Sequence, residues 1–366
     1  MTSRNIKLAV GFCAGLLCGT GLAQAATLYP VSHGKYYKFE KVADGVYYAS
    51  PEYNGTAFPF GSNPFFGANL VVIVNDNDVV LVDSGTTPRS AHALIADVKV
   101  LTDKPIRTVI NTHWHYDHTD GNSVFGPEVQ IIAHEYVRQQ LLTFDILHND
   151  PFKTSTVNYG PALIDGLKKQ IAAEKVSKQK AALQKKLADT EAALKEFERD
   201  KLEIKPTPPN VTYNNKLVLH RGNREIDLLF LGRGHTAGDT VVFLPKEKIV
   251  ATGDLMESRI AYMGSAYFEE WLTTLDALKR LDFKIDLPGH GAPFTDKGLI
   301  TAFQSYLRDV VAQAGKLRAQ GVSADDAAKR VDLTAHAKDF PDILGPGAEF
   351  RGVRRIYAWM DEQKRK

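Results

Sequence analysis

The stretch Asn111–Asn122, with the sequence NTHWHYDHTDGN, decides how the rest of the chain is interpreted. It places four potential metal ligands within six residues: His113, His115, Asp117 and His118. Alternate side chains of an extended chain point the same way, so the two histidines of H-x-H can bind one ion together. Asp117 and His118 are adjacent and lie past a turn, which favours a second, neighbouring ion. Zinc binds imidazole and carboxylate groups in a tetrahedral shell, so two shells need further ligands.

Around this motif, strand patterns alternate with helix patterns. Runs rich in Val, Ile and Tyr predict strands at Gly45–Ser50, Leu70–Asn75, Val79–Asp83, Arg107–Asn111 and Val129–His134. A second run of predicted strands covers Glu225–Leu231, Thr240–Leu244, Ile249–Thr252 and Lys284–Leu287. Helical periodicity marks Pro88–Thr102 and Leu272–Leu281. This alternation is typical of a layered α/β protein.

Three further potential ligands follow predicted strands in the second half of the chain. His235 lies in the Gly-rich loop GRGHTAGDT, Asp254 ends the segment IVATGD, and His290 lies in PGHG. Loops at strand ends often hold functional side chains. Each of the three is a weak signal alone, but together with H-x-H-x-D-H they form a coherent ligand set.

The segment between Pro161 and Pro206 differs in composition from the rest of the chain. Ala, Lys, Glu and Leu dominate it, which predicts a long helix or a helical hairpin. Three roles remain open for it: a solvated surface insertion, a lid over the site, or a dimerisation arm. The aromatic loop Phe58–Phe66 is predicted either to pack or to cover a substrate, and the chain beyond about residue 297 is predicted to be largely helical.

The N-terminus has the pattern of a secretory signal peptide. Arg4 and Lys7 precede the apolar run Leu8–Leu22, and Ala23–Ala25 forms an A-x-A cleavage signal. The pattern predicts a periplasmic or secreted protein with no membrane association after cleavage; an uncleaved membrane anchor is the alternative.

Loss of residues 1–25 would change both the ligand chemistry and the charge of the mature protein. Cys13 and Cys18 are the two cysteines of the chain, so no thiolate ligand would remain. Residues 1–25 contain two basic and no acidic residues, so the net charge of +2 becomes zero. Bulk charge therefore gives no support to nucleic-acid binding, and a small-molecule substrate is expected.

In their order, these motifs resemble those of the metallo-β-lactamase superfamily. VDSG at Val82–Gly85 is followed by H-x-H-x-D-H, HTAGD, GD and PGH, and the resemblance covers about residues 40–295. It implies a four-layered αββα sandwich with the site at one edge, between two sheets. The expected organisation is a signal peptide at 1–25, a catalytic domain at 26–295 interrupted by a helical insertion at 155–206, and a helical C-terminal extension at 296–366.

The resemblance also implies a role for each motif residue. It assigns His113, His115 and His235 to a first zinc ion, and Asp117, His118 and His290 to a second. Asp254 matches a carboxylate that bridges both ions in many members, and Asp83 matches an acidic residue that supports the site without binding metal. The implied cofactor is two Zn²⁺ ions per chain. His134 lies outside this set and is expected to be structural.

Two zinc ions can share one water and lower its pKa, so that a metal-bound hydroxide oriented by Asp117 attacks the substrate. Export favours β-lactams, lactones and esters as substrates. The cysteine-free ligand set resembles one class of zinc β-lactamases, whereas Asp254 is more typical of lactonases and glyoxalase-type hydrolases. The sequence thus predicts a metallo-hydrolase of cyclic amide or ester bonds. The alternatives are a phosphodiesterase or nuclease, and a periplasmic metal-binding accessory protein with little turnover. Homo-oligomerisation stays open, with the insertion and C-terminal helices as candidate interfaces.

Overall fold

The computed structural model of the chain describes residues 29–52, 67–157 and 159–365. The predicted signal peptide at 1–25 and the aromatic loop Phe58–Phe66 lie outside the described residues. Within the described ranges, no helix has both the length and the apolar character needed to cross a membrane.

The first sheet has eight strands that follow one another in chain order. They are β1 (Val31–His33), β2 (Tyr37–Ala43), β3 (Val46–Pro51), β4 (Leu70–Val74), β5 (Val79–Val82), β6 (Ile106–Ile110), β7 (Gln130–His134) and β8 (Val211–Tyr213). The pairs from β1 to β5 are antiparallel, and those from β5 to β8 are parallel. The parallel half requires crossover connections, and these hold the helices and the H-x-H-x-D-H motif.

The second sheet has five strands in the order β13-β12-β11-β10-β9. They are β9 (Lys216–Arg221), β10 (Arg224–Leu229), β11 (Val241–Leu244), β12 (Ile249–Gly253) and β13 (Ile285–Pro288). The pairs are antiparallel except β12 with β13, which is parallel. Because β10, β12 and β13 therefore run in one direction, their carboxyl ends meet at the same edge of the sheet.

The α-helices lie between and after these strands. In the described residues they are α1 (Pro88–Val98), α2 (Tyr116–Thr119), α3 (Glu135–Thr143), α4 (Tyr159–Ala173), α5 (Ser177–Asp200), α6 (Phe268–Arg280), α7 (Gly298–Ala319), α8 (Ala324–Arg330) and α9 (Phe350–Lys364). The predicted helix Pro88–Thr102 ends earlier, at Val98, whose carbonyl accepts hydrogen bonds from the amides of Leu101 and Thr102. The chain has to become extended ahead of Pro105, because the residue before a proline disfavours helix.

Buried side chains alternate across the first sheet and so divide the core. In β4, Leu70 and Val72 join the cluster that includes Leu94 of α1, whereas Val71 and Ile73 face the second sheet. Successive side chains of a strand point to opposite faces, so a run of buried residues implies that both faces are covered.

The second sheet shows the same division. In β12, Val250 packs in the cluster with Leu275 of α6 and Leu307 of α7, whereas Ile249 and Ala251 face the first sheet. The two sheets therefore share a central core, and helices cover each outer face. This is the four-layered αββα sandwich that the motifs implied.

The insertion is a helical hairpin of α4 and α5, and its base belongs to the core of the protein. Phe197 of α5 is fully buried and packs in one cluster with Phe152 and the outer face of the first sheet. Arg89 of α1 adds ion pairs to Glu196 and Asp200, at 3.0 Å and 2.7 Å. The end of α5 is thus packed against the body of the protein.

We expect Phe197→Ala to lower the free energy of unfolding by about 3–5 kcal/mol, because it opens a cavity in a filled core. Leu202→Ala is the control, since Leu202 is 80% exposed and surface changes usually alter stability by at most ~0.5 kcal/mol. Denaturant unfolding of both variants measures the difference. Equal effects would show that the end of α5 does not pack as described.

Candidate metal centre

The residues of the predicted ligand set come from loops at one edge of the two sheets. His113 follows β6, His115 precedes the first turn of α2, and Asp117 and His118 lie within α2. The remaining three come from the second sheet: His235 lies between β10 and β11, Asp254 follows β12, and His290 follows β13. Packing of the sheets brings these strand ends together.

Four of these side chains form one buried group: His113, His115, His235 and Asp254. The Nε2 of His235 lies 3.0 Å from the Nδ1 of His115. The Oδ2 of Asp254 lies 3.8 Å from the Nε2 of His113 and 3.6 Å from the Nε2 of His235. Three imidazole nitrogens and a carboxylate oxygen thus converge, which is a donor set that zinc accepts.

A second buried group contains Asp117, His118 and His290. The Oδ2 of Asp117 lies 3.7 Å from the Nε2 of His118 and 3.1 Å from the Nε2 of His290. Asp254 reaches this group as well, because its Oδ1 lies 3.3 Å from His118 and its Oδ2 3.5 Å from His290. One carboxylate therefore stands between the two groups.

Asp83 orients His118 from behind. Its Oδ2 accepts hydrogen bonds from the Nδ1 of His118, at 2.7 Å, and from the hydroxyl of Thr112, while its Oδ1 accepts one from the amide of Thr112. A carboxylate on one ring nitrogen fixes the tautomer that presents the other nitrogen to a metal. The backbone of Asp83 has φ +66, an unfavourable conformation for a non-glycine residue, which this hydrogen-bond network holds in place.

Two local features position the loops that carry His290 and His235. Gly289 leaves room for the ligands, since a Cβ there would lie 2.4 Å from the Oδ1 of Asp254 and 2.9 Å from the Cε1 of His118. Asp239 accepts hydrogen bonds from the amide and hydroxyl of Thr236, which fixes the loop that follows His235.

Burial lowers the pKa of the first-group histidines. The pKa values of His113 and His115 lie well below 6.5, and that of His235 falls to about 4. These rings are therefore neutral at pH 7 and keep the lone pairs that metal binding needs. Burial opposes the charged form of His118 too, but the charges of Asp254, Asp117 and Asp83 outweigh it and raise its pKa.

Several buried polar atoms of the two groups have no hydrogen-bond partner among the residues the structure describes. They are the Nε2 atoms of His113 and His118, the Nδ1 of His235 and the Oδ1 of Asp254. Buried polar atoms are normally paired, so an unpaired cluster calls for an explanation such as an ion. The donor types, the burial and the unpaired atoms all fit divalent metal ions.

His134 lies outside both groups, and its contacts are structural. Its Nδ1 accepts a hydrogen bond from the amide of Tyr136 at the start of α3, and its Nε2 lies 3.0 Å from the carbonyl oxygen of Asn214. Both ring nitrogens thus serve the backbone, as expected for a residue outside the ligand set.

A cavity of about 470 Å³ opens beside the ligand groups. Its wall includes residues that the sequence motifs did not predict: Thr154, Ser155, Glu257, Arg259, Phe350 and Arg351. They come from the base of the insertion, the loop after β12 and the start of α9. Only Arg259 had a local signal, as a basic residue shortly after Asp254; the others are brought in by packing of distant segments.

Known proteins resemble this chain to different extents. It is 23% identical over 300 residues to the linear primary-alkylsulfatase of Pseudomonas sp. (strain ATCC 19151), covering 76% of this chain but 53% of the relative. It is 36% identical over 85 residues to the metallo-beta-lactamase type 2 of Bacillus sp. (strain 170), covering 22% of this chain and 33% of that protein. The chain thus spans about half of the first relative's length and a third of the second's.

A solved structure and a family model bear on the fold. The metallo-beta-lactamase from Pontibacter korlensis superimposes with a TM-score of 0.51 at 18% identity, covering 75% of this chain and 99% of that one. The model of the metallo-beta-lactamase superfamily matches residues 63–150 and 156–290, which is more than half of the chain and includes every residue of both ligand groups. The chain therefore belongs to the metallo-beta-lactamase superfamily.

Proposed function

We propose that this chain is an exported, binuclear zinc hydrolase that opens cyclic amide or ester bonds. The observation that carries the proposal is the position of Asp254, whose carboxylate lies 3.3–3.8 Å from ring nitrogens of both ligand groups. Such a carboxylate can hold two ions close together. Membership of the superfamily, and the hydrolases among the relatives, support a metallo-hydrolase.

The side chains around the cavity suit attack on a polar bond. When bound, two zinc ions would supply a water of lowered pKa and a Lewis acid for the substrate oxygen. Asp117 lines the cavity and can accept a hydrogen bond from the attacking water. Arg259 also lines it, held by an ion pair of 2.9 Å with Glu257, and places positive charge where the substrate gains negative charge. Burial raises the pKa of Tyr262 above its ordinary value, so its hydroxyl stays a donor.

Cyclic amides and esters, as in β-lactams and lactones, are the substrates we favour. All ligand candidates are His or Asp, as in exported zinc β-lactamases without a cysteine ligand, while Asp254 is of the type found in lactonases. A water activated at the cavity floor can attack a carbonyl in either ring. The fold hosts many chemistries, so the bond has to be tested directly.

Sulfate-ester hydrolysis is a second candidate, and a specific observation favours it. The similarity to the alkylsulfatase extends over three quarters of this chain, whereas the similarity to the β-lactamase covers 85 residues. Arg259 lines the cavity and could bind the sulfate group that is cleaved. The two candidates differ in the bond that is cleaved, and a substrate panel separates them.

Export predicts that the mature protein begins at Ala26. Intact mass and N-terminal sequencing of protein recovered from the periplasm or medium of producing cells measure this. An Ala25→Glu variant is expected to retain its N-terminus, because the cleavage site requires small residues. Wild-type protein that still begins at Met1 would contradict the proposal.

Wild-type protein is expected to bind about two zinc ions per chain, as two-metal hydrolases do. Asp254→Ala should reduce this to one or fewer, since the substitution removes a ligand from both shells. Asp282→Ala is the control, because this aspartate is 79% exposed and pairs with Lys248 on the surface. Elemental analysis after dialysis measures the content. A wild-type value well under one zinc ion would contradict the binuclear proposal.

A substrate panel tests the reaction. It contains nitrocefin, a homoserine lactone, a naphthyl ester, an alkyl sulfate and a bis-aryl phosphodiester, each assayed with zinc and with chelator. We expect turnover of at least one carbonyl substrate, with kcat/KM reduced ~100-fold or more in His115→Ala, as when a group that stabilises the transition state is removed.

His220→Ala is the matched control for this panel, because His220 is exposed on β9. Turnover of the alkyl sulfate alone would favour the second candidate, and turnover of the phosphodiester alone would favour a phosphodiesterase. Absence of any turnover in zinc-loaded protein would leave the accessory metal-binding role. Full activity of His115→Ala on every accepted substrate would contradict the mechanism.

A further inference from the structure

Arg351 forms part of the cavity wall although it belongs to the C-terminal extension. It is the second residue of α9, and its side chain is 17% exposed. Thr154, Ser155 and Tyr262 line the cavity with it. Thr154, Ser155 and Arg351 all lie outside the ranges 63–150 and 156–290 that match the superfamily model. Three of these four wall residues are therefore outside the match to the superfamily model.

The guanidinium of Arg351 is held in a fixed orientation. Its Nη1 donates hydrogen bonds of 2.6 Å and 2.7 Å to the hydroxyl oxygens of Thr154 and Ser155, and its Nε donates to Glu349 at 2.6 Å. Its Cζ lies 4.6 Å from the centre of the Tyr262 ring. A guanidinium has five N–H donors in a planar fork. No group of the described residues accepts a hydrogen bond from its Nη2, so that edge can bind a ligand.

The position of Arg351 suits a substrate that reaches from the ligand groups to the guanidinium. The Tyr262 ring, which the guanidinium of Arg351 contacts, also contacts the His115 ring, with the two ring centres 5.5 Å apart. The guanidinium and a metal-ligand candidate thus contact the same aromatic ring. A substrate whose scissile bond lies over the ligand groups can place a second polar group against Arg351.

The charges of the wall favour an anion at this position. Of the acids that line the cavity, Asp117 and Asp254 belong to the ligand groups, and Glu257 is paired with Arg259. The ion-pair partner of Arg351 is Glu349, which lies on the same turn and is not part of the lining. A mostly buried guanidinium interacts strongly with an anion, and its planar fork matches a carboxylate.

We propose that Arg351, together with the hydroxyls of Thr154 and Ser155, forms a carboxylate-binding subsite that selects substrates bearing a carboxylate away from the scissile bond. The selection of substrates rests on the proposed hydrolase function; the binding of a carboxylate does not. Arg351 touches the non-reacting part of the substrate and determines specificity. Its loss therefore raises KM for acids and leaves kcat for neutral substrates in place.

The first test measures binding without turnover. Zinc-loaded full-length protein is titrated calorimetrically with 4-phenylbutyrate and with its neutral amide. We expect Arg351→Gln to lower the affinity for the carboxylate about tenfold or more, the usual loss for a charge-assisted hydrogen bond. The affinity for the amide should change by less than about twofold. Zinc itself can bind a carboxylate, but that contribution is common to all variants.

The matched control is Arg354→Gln on the next turn of the same helix. Arg354 is 52% exposed, donates to both oxygens of Asp325 at 2.6 Å and 2.7 Å, and does not line the cavity. The Arg354→Gln variant is expected to bind 4-phenylbutyrate and its amide with the affinities of the wild type. If Arg351→Gln does not fold, as judged by thermal unfolding, Arg351→Lys is measured instead. It keeps the charge but loses the planar fork, so a smaller, still carboxylate-specific loss is expected.

The second test measures turnover of two esters that differ in one group. Mono-4-nitrophenyl succinate has a terminal carboxylate, and its methyl ester is neutral. Arg351→Gln should raise KM about tenfold or more for the acid alone, with kcat retained. Equal losses for the acid and the methyl ester, or no loss for either, would overturn the subsite. If the wild type hydrolyses neither ester nor any substrate of the panel, the proposed hydrolase function fails, and the calorimetric comparison alone decides the subsite.

Discussion

The carboxylate of Asp254, buried between two groups of histidines, is the interaction on which the rest of the site depends. Its oxygens lie 3.3 Å from His118 and 3.5 Å from His290, and 3.6 Å from His235 in the other group. An isolated buried carboxylate would be strongly destabilising, so this arrangement needs compensating positive charge. The histidines provide it in part, but they repel one another when protonated and bind metal only when neutral. Two divalent ions would satisfy the carboxylates and the imidazole lone pairs together.

Because these carboxylates and histidines have to stay within a few ångströms of one another, the fold has to be rigid at this edge of the sheets. The seven side chains come from two sheets, and the apolar core between the sheets sets their separation. Val71 and Val80 of the first sheet pack in one cluster with Leu228 and Val242 of the second. Because interiors are close-packed, a shift of one sheet relative to the other would change every distance across the site. The hydrogen bond of 2.7 Å from His118 to Asp83 adds a second restraint from behind.

The sequence predicted the strands, helices and ligand candidates that a short stretch of sequence is enough to identify. The alternating fold could be predicted because buried strands are short apolar runs between turns, and the ligand candidates lie in the connections that follow strands. The grouping of His113 with His115 follows from extended-chain geometry, but bringing His235, Asp254 and His290 to them required the resemblance. The cavity wall could not be predicted. Thr154 and Arg351 are separated by almost 200 residues, and nothing near either one indicates that helix packing brings them together.

The ligand groups and much of the cavity wall are built from different segments of the chain. Every residue of the ligand groups lies inside the ranges that match the superfamily model, whereas the wall residues Thr154 and Ser155 at the base of the insertion and Phe350 and Arg351 at the start of α9 lie outside them. The superfamily fold and its ligand groups are compatible with many substrates, so these wall segments are the part of the site that can distinguish between substrates. Arg351 connects these segments directly, since it bonds to the base of the insertion while its own helix packs on α7 and α8. With the proposed subsite, a change in either segment would alter substrate selection and leave the ligand groups intact.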